Sequence, residues 1–294
     1  MFVDAIKEIT KFTRPIQTIT RVYGHQEVTP GLSTLFFVNE NGAAVTCKHV
    51  AQLIIAAENV NKQFNNFKAD CSKIKRDGKF KRNLKGLELK YKYQKETTVQ
   101  IKNNFVGAVD TIQGITVHQH KKYDLAIVQL NGYNTIKYQG FARFLKDTSK
   151  IEQGKNLCRL GYPFPEYTNY KYDSRLDDIM FDNTTPANIP IFPTDGIITR
   201  NVAEGTEIMG IELSTPGLRG QSGGPLFDEN GIIFGMQQST KHLHLGFDIE
   251  NKEILIKGRK KKIDDYAFLH LGQCIRVDVI KSFLDEHKIK YYEE

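Results

Sequence analysis

Nowhere does this 294-residue sequence run for the ~18 consecutive apolar residues that a membrane span needs. The opening MFVDAIKEITKFTRP carries Asp4, Lys7, Glu8 and Lys11, so it lacks the unbroken apolar stretch of a secretory signal. Only four cysteines occur, Cys47, Cys71, Cys158 and Cys274, far apart and without a CxxC pair. That spacing argues against a disulfide framework and offers little to a structural metal, so the thiols read as reduced. From these absences the expectation is a soluble, cytoplasmic chain with no membrane contact, no cofactor and no metal.

What is present is a chain with 40% hydrophobic residues, enough for one large core or two small ones. The formal charge of +7 mildly favours acidic partners. The excess is local. Lys62 to Lys95 holds 12 Lys/Arg against Asp70, Asp77 and Glu88, a net of +9. With Phe80, Tyr91 and Tyr93 interleaved, nucleic acid or an acidic protein surface is an alternative partner for Lys62–Lys95. No nucleic-acid fold motif accompanies the charge, so a solvated face is the favoured reading.

Three short stretches carry chemistry. In GQSGGP, Gly220 to Pro225, glycines on both sides of Ser222 allow a sharp turn that exposes a hydroxyl beside backbone N–H groups. Alone, such a turn is common between strands. Upstream lie VTCKHV, Val45 to Val50, and YDLAIVQL, Tyr123 to Leu130. His49, Asp124 and Ser222 thus follow one of the few chain orders used by nucleophilic hydrolases. His118 and His120 lack nearby acidic ligands and read as surface histidines.

On these motifs the chain resembles the trypsin-like (chymotrypsin-fold) serine peptidases, closest to the HtrA-like branch without its PDZ domain. GLSTLFFV at Gly31 to Val38, LGYPFP at Leu160 to Pro165, DGIITR at Asp195 to Arg200, GIIFGMQQST at Gly231 to Thr240 and LGQCIRVDVIKSFLDEH at Leu271 to His287 extend the likeness over about residues 22 to 288. The resemblance implies an all-β fold of two six-stranded antiparallel β-barrels in a single domain, residues 1–290. The first barrel spans about 22–130, the second 150–276, and a closing helix 277–290. It implies His49 as general base, Asp124 as its orienting carboxylate, Ser222 as nucleophile, and the N–H groups of Gly220 and Ser222 as oxyanion hole. It places the substrate pocket at Thr215, Pro216 and Gly217 and at Gln238, Ser239 and Thr240. STPGLRG carries no acid, so a trypsin-like preference for Arg or Lys is not expected; Lys241, His242 and His244 are candidates for accepting an acidic side chain.

Several departures from the family pattern set further expectations. Gln221 stands where mature trypsins carry the aspartate that captures a new N-terminal amine, so the loop must be held or switched in another way. His49 is expected to end a strand. Residues 51–98 are an insertion: a helix on Leu53, Ile54, Val60, Phe64, Phe67 and Cys71 up to Gly78, then a basic hairpin turning near Gly86. The acidic segment Pro165 to Pro193 is expected to flank the cleft opposite that insertion. The expected function is a regulated intracellular serine endopeptidase acting on a protein or peptide substrate, with one specific target. The alternative is an inactive or latent protease-fold binding module using the basic insertion.

Overall fold

The computed structural model describes residues 1–182, 184 and 187–294; residues 183, 185 and 186 of the acidic segment lie outside the described residues. After helix α1 (Val3–Thr10), the chain lays down β1 (Thr13–Val22), β2 (Val28–Phe37) and β3 (Ala43–Thr46). Helices α2 (Lys48–Ser72) and α3 (Phe80–Tyr91) interrupt the sheet, which resumes with β4 (Thr98–Phe105), β5 (Gly114–Gln119) and β6 (Ala126–Asn131). These strands form one six-stranded antiparallel sheet in the order β4-β1-β2-β3-β6-β5, curled into a half-barrel. Its β4 edge is covered by α2, where the Asn61 carboxamide gives to Ile101 O and takes from Ile101 N at 2.7 and 3.0 Å. A side chain there does the work of a neighbouring strand.

The second half comprises β7 (Arg143–Phe144), β8 (Asn156–Gly161), β9 (Tyr170–Asp173), β10 (Asp178–Phe181), β11 (Phe192–Glu204), β12 (Glu207–Leu213) and β13 (Pro225–Phe227). It ends with β14 (Ile232–Ile256), β15 (Arg259–Arg276), helix α4 (Val277–Glu286) and β16 (Tyr292–Glu293). The order β13-β8-β11-β12-β15-β14 closes on itself because β13 also pairs with β14. The architecture is the chymotrypsin-like double barrel that the sequence implied. One apolar core runs through both halves, from Ile16, Phe36 and Val45 to Leu160, Phe227 and Ile275. None of the helices is long and apolar enough to cross a membrane, among the described residues.

Four local expectations are corrected. Residues 13–22 form β1, so strand structure begins ahead of residue 22, near which the first barrel is expected to start. Residues 80–91 are the helix α3 and not a hairpin. The alternation from Lys85 onward is incidental: Leu84, Leu87 and Tyr91, at helical spacing, pack on Phe64 and Phe67 of α2, and Leu89 stays 70% exposed. The acidic segment lies beside the insertion, not opposite it. Asp177 pairs with Arg21 at 2.8 Å, Asp178 with Lys102 at 3.1 Å, and Lys68 of α2 donates to the carbonyls of Leu176 and Asp177. The fourth correction concerns His49 and is taken up with the site.

A further element had no sequence expectation. β14 and β15 run on past the barrel as a long two-stranded arm that turns at Lys257 and Gly258, with φ of 50° and 76°. Those signs are those of a tight two-residue hairpin.

Phe67 rings meet Tyr23, Tyr91 and Tyr93 at centroid distances of 5.6, 5.4 and 4.8 Å, so this side chain joins α3 to the barrel. Phe67→Ala is expected to cost about 3 kcal/mol of local stability. The check is hydrogen exchange at α3 amides, which should quicken by about two orders of magnitude if the figure is right; unchanged protection would show that α3 docks by other means.

Candidate active site

The register of β3 against β6 puts Thr46 opposite Ala126. His49 follows the end of one strand and Asp124 precedes the start of the other, so the two meet at one end of the sheet. His49 does not end a strand, because β3 stops at Thr46 and α2 begins at Lys48. It sits in the first helical turn, where backbone N–H groups have no partner within the helix. The Asp124 carboxylate supplies one: Oδ1 takes the His49 N–H at 2.8 Å, while Oδ2 lies 2.7 Å from His49 Nδ1. The N-cap residue Cys47 makes no side-chain cap of its own. A carboxylate at a helix N-terminus is also favoured by the helix dipole.

Ser222 lies on a loop built by four sets of hydrogen bonds. The Gln221 N–H donates to Leu218 O at 3.0 Å, and Gly220 has φ of +91°, the sign that a type II turn requires at its third residue. A Cβ on Gly220 would fall 2.2 Å from Tyr162 O, so a side chain is excluded. The buried Gln221 carboxamide accepts from Leu218 N at 2.9 Å and donates to Phe192 O and Thr194 Oγ1, both at 3.1 Å. Thr34 of β2 crosses from the first barrel: its N–H donates to Ser222 O at 3.0 Å and its hydroxyl to Gly220 O at 2.7 Å. The Thr46 hydroxyl then donates to Thr34 O at 2.7 Å, which ties the loop to the strand end preceding His49.

Among the described residues, the N–H groups of Gly220 and Ser222 donate to no protein acceptor, and Ser222 Oγ makes no hydrogen bond. His49 and Ser222 line two adjoining clefts together. One, of about 640 Å³, is walled by Pro216, Gly217, Gln238, Ser239 and Thr240. Thr215 is not on this wall; its carbonyl and hydroxyl are taken by Arg159 behind it. The Thr240 hydroxyl donates to Gly217 O at 2.7 Å and joins the two walls. Of the candidate acid-accepting residues, His242 lines this cleft and Lys241 and His244 do not.

The described residues also bring Cys47 Sγ, a His49 nitrogen and an Asp124 oxygen within 4.8 Å of one another, a spacing a metal ion could use. Burial, reinforced by the Asp124 charge, pushes the Cys47 thiol well above its ordinary pKa. It therefore stays protonated and is a poor ligand. All four cysteines are free.

Thr34, Arg159 and the role of the Gln221 side chain were not found from the sequence. Only Gln221 left a signal there, as an amide where the resembled family places an acid. Gln221→Leu removes all three hydrogen bonds of the buried carboxamide, to Leu218 N–H, Phe192 O and Thr194 Oγ1. The expected cost is about 1–3 kcal/mol, read as a lower urea midpoint; an unchanged midpoint would mean that the loop is held without this side chain.

A family described as the trypsin-like peptidase domain matches residues 33–236. No curated protein matches the sequence. Among solved structures, the HtrA-type protease AlgW with a decapeptide superposes with a TM-score of 0.51 at 13% identity, covering 97% of this chain and 67% of that one. A substituted form of AlgW with a tripeptide gives 0.46 at 12% identity, covering 97% of this chain and 63% of that one. The chain thus spans roughly two thirds of the length of these structures.

Proposed function

From a chain that belongs to the trypsin-like peptidase domain family, we propose a serine endopeptidase whose nucleophile is Ser222, whose base is His49 and whose orienting carboxylate is Asp124. The observation that carries the reading is the double contact of Asp124 with the His49 N–H and Nδ1, at 2.8 and 2.7 Å. With Nδ1 committed to the carboxylate, Nε2 is the nitrogen left to act as a base toward a hydroxyl in the shared cleft.

Ser222 Oγ attacks the peptide carbonyl carbon as His49 Nε2 takes its proton, and Asp124 stabilises the imidazolium formed. The carbonyl oxygen becomes an oxyanion, met by the unengaged N–H groups of Gly220 and Ser222; one such donor is commonly worth about 3 kcal/mol. Collapse breaks the C–N bond, and His49 returns the proton to the leaving amine. Water then attacks the ester, giving its proton to His49, and Ser222 Oγ leaves with that proton. No cofactor enters any step.

The substrate is a protein or peptide, and restriction to one target would come from the surfaces flanking the cleft. The Gln221 bonds support a loop formed in the free chain, so assembly of the site does not wait for a partner. Free cysteines, three of the four buried, support a reducing, cytoplasmic setting. The binding-module alternative gains less support, because Lys68, Lys73 and Lys90 of the basic insertion bond to Asp70 and to the Leu176–Asp177 carbonyls.

A fluorophosphonate probe should label the purified protein, with labelling lost in Ser222→Ala and His49→Ala and slowed about 10⁴-fold in Asp124→Asn. Equal labelling of wild type and Ser222→Ala would sink the assignment.

A further inference from the structure

The 640 Å³ cleft beside Ser222 has no carboxylate among its lining residues. Behind its floor stands a cation. Arg159, on β8, is completely buried, and its guanidinium donates to Gln237 Oε1 at 2.8 Å, to Thr215 Oγ1 and O at 2.7 and 3.1 Å, and to Pro216 O at 3.0 Å. Among the described residues no carboxylate touches it and Nε has no partner; Asp195 acts on it only through space. A buried charge without a counterion is unfavourable, and an anion entering the adjacent cleft would offset it.

Arginine only donates, so it fixes the buried Gln237 amide with Oε1 toward the guanidinium and Nε2 away from it. Nε2 donates one hydrogen to Ser239 O at 2.8 Å and keeps a second. A Cβ on Gly217 would lie 2.1 Å from this nitrogen, so the glycine leaves the amide room on that wall. At the outer end, His242 Nδ1 and His270 Nδ1 are 2.6 Å apart, so one ring donates and the other accepts. The accepting ring therefore carries its proton on Nε2 and offers a further donor. Arg219 adds a positive charge at the rim.

We infer that this cleft receives the acidic side chain, aspartate or glutamate, of the residue on the acyl side of the scissile bond. The inference rests on the endopeptidase reading above and names its substrate class. A basic side chain would meet Arg159 and Arg219 with no acid to pair with, and an apolar one would leave the buried Arg159 charge without an anion.

The test uses peptidyl diphenyl phosphonates that differ only in carrying a glutamate, leucine or lysine side chain next to the phosphorus, alongside a generic fluorophosphonate. The glutamate form should label Ser222 at least tenfold faster than the other two. Arg159→Met should abolish that preference. Should that variant fail to fold, Gln237→Glu sets a carboxylate against Arg159, and the glutamate-to-lysine rate ratio should fall at least tenfold. Leucine or lysine forms reacting as fast as the glutamate form, while the generic probe labels Ser222, would overturn the inference and leave the endopeptidase reading standing. Failure of the generic probe itself would overturn both.

Discussion

A single carboxylate, Asp124, closes the helix N-terminus at His49 and orients the His49 ring, through contacts of 2.8 and 2.7 Å. The long helix α2 and the imidazole therefore share one anchor. The insertion is fastened to the chemistry at its first turn, and at its far end to the barrel through the Phe64, Phe67, Tyr93 and Val99 cluster. A device that moved α2 would move His49 with it.

The position of Ser222 depends on a second constraint, the joining of two barrels. Thr34 is the hinge pin: it belongs to the first barrel, holds Gly220 and Ser222 by two hydrogen bonds, and receives the Thr46 hydroxyl from the strand that leads to His49. Gly223 permits this closeness, since a Cβ there would fall 2.1 Å from Thr34 O. Gln221 secures the other side of the loop on β11 with an uncharged amide. An amide can be buried and fully hydrogen-bonded without an ion to neutralise it, so this loop is held without the charge pair of the resembled enzymes.

What could be read from the sequence was what depends on residue type and order. His49, Asp124 and Ser222 stood out through local text, and the double-barrel fold through its recurring strand motifs. What could not be read depends on partners far along the chain. From Lys85 onward the basic stretch alternates as a strand would, and only the Phe64 and Phe67 face of α2 decides for a helix. His49 reads as a strand end until Asp124, 75 residues on, caps a helix there. Arg159 looks like an ordinary strand residue, and its four hydrogen bonds all reach across to residues 215, 216 and 237. The acidic segment Pro165 to Pro193 reads as the far bank of the cleft, yet Arg21 and Lys102 draw its Asp177 and Asp178 to the β1–β4 side.

The Ser222 loop is already formed in the free chain, held by Gln221 and Thr34. The most direct measurement is a crystal structure of the isolated protein with a phosphonate bound at Ser222. A phosphoryl oxygen should lie about 3 Å from the N–H groups of both Gly220 and Ser222, with the Gln221 bonds to Leu218, Phe192 and Thr194 unchanged. A loop that had turned the Gly220 N–H away, or released Gln221 to admit the adduct, would contradict it.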